Sequence, residues 1–242
     1  MADSDSLWAP ARDGDPRPRQ APKLSSRRQF PAEVEAYVRE LIMAGRLKAG
    51  QFIRTERLAE ELGISQTPVR EGLLALRGEG FLALERRRGF RVLELRLSDV
   101  DDLFAVQAHL AAELARRAAA RLTPEQLAHL HDVQTELVAA LEAGSPEIVE
   151  ALNHEFHRFI NRSADSPKLT LLLSVAARYV PRRFFYTIDG YPEASAKDHQ
   201  AVLRALRDKD GEAAGEAMRR HIEHAGQLLR AHLVVNGFPS PR

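Results

Sequence analysis

Apolar residues first recur at helical spacing around Val34. Val34, Tyr37, Val38, Leu41 and Ile42 share one face of a helix that begins near Pro31. Gly45 and the segment Leu47-Lys48-Ala49-Gly50 end it. Thr55 is placed to cap a second helix carrying Leu58, Ala59 and Leu62, which Gly63 breaks. Ser65 is placed to cap a third, with Pro68 in its first turn and Val69, Leu73 and Leu76 inward. Gly78 and Gly80 stop that helix. The period then changes: Phe81 to Glu85 and Phe90 to Leu95 are short β-prone runs, with Arg86-Arg87-Arg88-Gly89 as the hairpin turn between them.

From Ser98 the pattern is helical to the end. Asp99, Asp101 and Asp102 follow Ser98 and suit the positive end of a helix that runs to about Leu122. Thr123-Pro124-Glu125, Ser145-Pro146-Glu147 and Ser166-Pro167 open three more, the last expected over Lys168 to Tyr186. Two further helices are expected near Glu193 to Arg207 and Gly211 to Val235. The expected fold is mostly α: an N-terminal winged helix-turn-helix of three helices and a β-hairpin over residues 30–96, then an all-helical bundle over 97–236. Residues 1–29 mix Pro, Arg, Asp and Ser without period and read as a disordered tail, and 237–242 as a second short tail.

Charge sharpens the division. Residues 17–97 hold 17 lysines and arginines against 10 acids, about +7, whereas 98–242 hold 17 against 20, about −3. A basic first domain points to a polyanionic partner. Cysteine is absent, which removes disulfide and thiolate chemistry. No apolar run reaches about 18 residues, and the N-terminus lacks an apolar leader, so a cytoplasmic protein without membrane contact is expected.

A short helix, a glycine turn and a second helix form a helix-turn-helix, whose second helix can lie in the major groove. Ser65, Gln66, Thr67, Pro68 and Arg70 stand at its leading end. Arginine and glutamine can each make paired hydrogen bonds to one base. Arg54 precedes the first helix of the pair, and Arg87, Arg88 and Gly89 form the wing tip, placed for phosphate or the minor groove. Leu58 through Glu71, with Gly78-Glu79-Gly80-Phe81 and the wing Arg88-Gly89-Phe90-Arg91-Val92, resembles the signature of the GntR family of regulators over residues 31–95. That family usually carries arginine where this chain has Gln66, which implies a different base preference.

All nine histidines lie beyond residue 100. Asn153 and His157 are four apart and share a helix face, while His199 and His221 fall on later helices. Imidazole nitrogens with one oxygen suit Zn²⁺, Ni²⁺ or a similar divalent ion, although spacing alone equally allows surface or core histidines. Residues 98–235 further resemble the FCD ligand domain of the FadR-like branch of the GntR family. Asn153-His154-Glu155-Phe156-His157, the segment from His199 and Met218-Arg219-Arg220-His221-Ile222 carry that likeness. It implies a divalent metal (Zn²⁺, Ni²⁺ or Mn²⁺) on Asn153, His157, His199 and His221, an organic acid completing the coordination, and His154 and His224 as surface neighbours. Gln107 and Ala111 stand where the family usually has arginine and glutamate. Gln107 then favours a neutral or sugar-like group in the pocket, or merely packs while Arg178 or Arg182 supplies the charge.

The expected function is a transcriptional regulator, most simply a repressor. It would bind a palindromic operator as a homodimer and answer to a small organic acid or sugar acid. One alternative is a DNA-binding dimer with a purely structural metal. A metal-dependent hydrolase is the other, but His154 and His157 are three apart, not four as in HExxH, and no general base stands out.

Overall fold

The computed structural model describes residues 30–180, 185–186 and 188–235. The chain divides into two compact units, one ending at Arg96 and one starting at Leu97. Nine helices and three strands are found among the described residues.

The first unit is built from α1 (Phe30–Met43), β1 (Phe52–Ile53), α2 (Thr55–Leu62), α3 (Gln66–Gly78), β2 (Leu82–Glu85) and β3 (Gly89–Val92). The apolar stripe of α1 is buried, as are Leu58, Leu62, Val69, Leu73 and Leu76 of the next two helices. Gly63 ends α2 in the left-handed conformation at φ +66°. The sheet order is β1-β3-β2, all antiparallel, with Glu85 opposite Gly89 across the wing turn. Two details differ from the sequence reading. Arg54, not Thr55, occupies the cap position of α2, and β1 joins the hairpin as a third strand. A two-residue strand is too short to show a period.

Among the described residues of this unit, one charged side chain is buried. Arg39 is 4% exposed and pairs with Glu35 at 3.2 Å and with Glu79, tying α1 to the end of α3. Tyr37 donates to Glu61 at 2.6 Å, which joins α1 to α2.

Gly89 sits at φ +96°, and a Cβ there would stand 2.6 Å from the Ile53 carbonyl oxygen. Both facts demand glycine, because neither the backbone angle nor the strand contact accommodates a side chain. Gly89→Ala is expected to cost about 1–3 kcal/mol and to pull the wing from β1. Hydrogen exchange on the full chain checks this: the wing amides should lose protection while those of the helix Gly211–Val235 in the second unit do not.

The second unit contains α4 (Leu97–Ala119), α5 (Pro124–Glu142), α6 (Pro146–Ser163), α7 (Pro167–Ala177), α8 (Tyr191–Arg207) and α9 (Gly211–Val235). Thr123 caps α5 in a reciprocal pair with Gln126, at 3.3 and 3.0 Å. Leu114, Ala118, Leu130, Phe156, Ile160, Val202, Leu206 and Met218 form the core from five helices. Gly226 lets α9 approach α4 closely, since a Cβ there would meet the Phe104 ring at 2.7 Å. Helix α7 ends at Ala177 rather than reaching Tyr186. Pro181 disfavours helical backbone at the residue before it and brings no N–H to continue the ladder.

Candidate functional site

In the first unit, the leading end of α3 is open. Ser65, Gln66, Thr67 and Arg70 are exposed, while Pro68 is partly buried beside the fully buried Val69. The Ser65 side chain makes no capping bond, although the residue holds the cap position. No acidic residue lies in the first turn, so its free N–H groups and positive dipole are unopposed for a phosphate. Arg54 is exposed just before α2. At the wing, Arg87 adopts φ +64° and is exposed; Arg88 lies over the Phe52 ring at 4.8 Å; and Arg91 pairs with Glu85 at 2.5 Å.

In the second unit, α6, α8 and α9 bring His157, His199 and His221 together. One ring nitrogen from each lies within 4.8 Å of the others. The Nε2 atoms of His157 and His221 are 3.2 Å apart. Ligand nitrogens on a tetrahedral zinc stand ~3.4 Å apart, given Zn–N bonds near 2.0–2.1 Å. Nε2 of His199 is buried with no hydrogen-bond partner among the described residues. Such an orphaned lone pair, next to two facing imidazole nitrogens, is a set of donors that a divalent cation satisfies. An edge of His157 reaches the surface, yet burial, then His221 and His154, press its pKa down to about 3. Burial first, then His221 and His157, also hold His199 well below the usual histidine range. Both rings are neutral at neutral pH, the form that a metal requires. The residues present therefore fit a divalent ion. Asn153 lies one turn before His157 on α6, and its Oδ1 accepts from the Ser195 hydroxyl at 3.2 Å.

Comparison with known proteins decides the family. Residues 31–92 match the model for bacterial regulatory proteins of the gntR family, and residues 102–224 match the FCD domain. The chain belongs to the GntR family. The HTH-type transcriptional regulator McbR of Escherichia coli K12 is 28% identical over 198 residues, covering 78% of this chain and 90% of that protein. The Nta operon transcriptional regulator of Aminobacter aminovorans is 30% identical over 185 residues, or 75% and 86% of the two chains. The solved structure of E. coli McbR/YncC superposes with a TM-score of 0.65 at 26% identity, over 86% of this chain and 99% of that one. This GntR-family chain is thus a DNA-binding transcriptional regulator with an FCD domain, and its relatives are regulators rather than enzymes. No described helix is long and apolar enough to cross a membrane.

The three pocket positions named from the sequence are treated differently by the fold. Gln107 is 8% exposed, and its Nε2 donates to the Ala176 carbonyl at 3.4 Å, so it packs α4 against the end of α7. Arg178 is exposed at the cap of α7, and Arg182 lies outside the described residues. An open groove of about 460 Å³ between α4 and α9, lined by His109, Arg116, Glu216 and Arg219 among others, includes none of the three histidines.

Three residues around the centre were missed. Gln134 of α5 lies 2.9 Å from His199 Nδ1. Asp198 is 2.8 Å from His224 Nδ1 and 3.6 Å from His221 Nδ1. Ser195 holds Asn153. His224 is thus more than a surface residue, since it anchors the carboxylate that faces a clustered histidine. Gln134 did leave a signal: it interrupts the apolar stripe Leu130, Val133, Leu137.

Proposed function

We propose that this regulator is a homodimeric repressor of a palindromic operator. Its operator affinity would be set by a small organic acid or sugar acid held at a divalent metal on Asn153, His157, His199 and His221. The observation that carries the reading is the meeting of three imidazoles from three helices, with two buried ring nitrogens, Nε2 of His199 and Nδ1 of His221, unpartnered among the described residues. When bound, the ion supplies positive charge and open coordination positions for a carboxylate or hydroxyl oxygen. The chain does the rest. His157, His199 and His221 fix α6, α8 and α9 around one point. Phe156 stacks on His199 with centroids 4.0 Å apart and orients that ring. Helix α9 packs along α4, the helix that follows the DNA-binding unit in the chain. An effector that prefers one arrangement of these helices would shift the population that binds operator. Dimerisation doubles the bases read by one short recognition helix.

Operator binding by fluorescence anisotropy, with organic and sugar acids added in the presence and absence of Zn²⁺, tests this. An acid that lowers operator affinity only when zinc is present supports the reading. If every acid leaves affinity unchanged with zinc as without it, the effector reading fails. Arg70→Ala should cost about 1–3 kcal/mol of operator binding if it reads a base edge. Unchanged affinity and unchanged sequence preference would remove Arg70 from the reading set.

A further inference from the structure

Gln134 is 2% exposed in the core-facing stripe of α5, a helix that contributes none of the clustered histidines. A carboxamide buried there needs partners at both ends. Its Nε2 donates to the Ala196 carbonyl at 2.9 Å, and its Oε1 lies 2.9 Å from Nδ1 of His199. These two contacts fix a proton position by elimination. A backbone carbonyl can only accept, so the NH₂ end of Gln134 must face Ala196. The other end is an oxygen that can only accept, so Nδ1 of His199 carries the proton. Nε2 is left with its lone pair, and it has no partner among the described residues. Phe156, stacked on the same ring at an interplanar angle of 12°, fixes the ring plane but is indifferent to which nitrogen holds the proton.

We propose that Gln134 is a positioning residue for the metal centre: it holds His199 as the Nδ1–H tautomer and keeps the Nε2 lone pair turned toward the ion. The proposal rests on the metal reading above. It brings a fourth helix into the centre, because α5 clamps the turn of α8 between Ala196 and His199. Outer partners that orient a metal-bound imidazole typically change metal affinity by about 10–100-fold when removed.

The test uses the full chain with Gln134→Leu and Gln134→Glu, and Zn²⁺ alone as probe. Zinc affinity is read by competition with a chromophoric chelator. The His199 tautomer is read in zinc-free protein from ¹⁵N–¹H correlations of the imidazole. Gln134→Leu should bind zinc about 10–100-fold more weakly and show mixed tautomers at His199. Gln134→Glu keeps the acceptor for Nδ1–H and loses the donor to Ala196; it should keep the tautomer and recover most of the affinity. Wild-type affinity and tautomer in Gln134→Leu would overturn the proposal, as would a Gln134→Glu variant as weak as Gln134→Leu. Should Gln134→Leu fail to fold, an Nε2–H tautomer at His199 in zinc-free wild type would overturn it alone. Wild type that takes up no zinc sinks the metal reading instead, and the His199 tautomers of wild type and Gln134→Glu still decide what Gln134 does.

Discussion

His199→Ala should remove the response of stability to metal. A ligand that binds only the folded state stabilises it by RT ln(1 + [L]/Kd), about 4 kcal/mol at a thousand times Kd. For the helical unit that is a rise of roughly 10 °C in melting temperature, at about 2–4 °C per kcal/mol. The variant loses the buried Nε2 of His199, which has no hydrogen-bond partner among the described residues. It also leaves Oε1 of Gln134 buried without its hydrogen bond, so the metal-free variant should already be weaker by about 1–3 kcal/mol. Thermal melts with Zn²⁺ and with chelator separate the two effects. The gap between the melts should be large in wild type and close to zero in the variant. A variant that keeps the wild-type gap would show that His199 holds no ion.

Phe156→Ala should be the most damaging core change. Its side chain is 0% exposed at the centre of the helical core, and truncations of this kind cost about 3–5 kcal/mol through lost transfer energy and the cavity left behind. The ring also supports the site: it stacks on His199 at 4.0 Å and meets His157 edge-on at 5.7 Å. Zinc affinity should therefore fall together with stability. Phe156→Leu fills most of the volume and should recover much of the stability while still lacking the flat surface against His199. Urea melts of metal-free protein measure the first effect and chelator competition the second. A loss under about 1 kcal/mol in Phe156→Ala would mean that the core there relaxes far more than its burial implies.

Where turn chemistry is strong, the helices of this protein could be read directly. Thr123-Pro124-Glu125 and the two Ser-Pro starts mark helix openings that the fold reproduces. The wing was legible because three arginines and a glycine separate two β-prone runs. What escaped has physical reasons. β1 spans two residues and has no period to detect. The burial of Arg39 depends on Glu35 and Glu79, and Glu79 lies forty residues away. The histidines could be grouped by likeness and spacing, but their partners could not. Gln134 and His199 are 65 apart in sequence, and only the packing of α5 against α8 joins them. The role of Gln107 turned on which helix lay opposite. The carbonyl of Ala176 is a partner that composition does not reveal.

The most direct test of the metal centre is X-ray absorption at the zinc edge on full-length protein titrated with one equivalent of Zn²⁺. One tightly held ion per chain is expected, with three imidazole nitrogens at about 2.0–2.1 Å and a remaining oxygen shell. That signature should be absent from His199→Ala. Wild type that takes up no zinc, or a bound ion whose spectrum shows no imidazole, would contradict it.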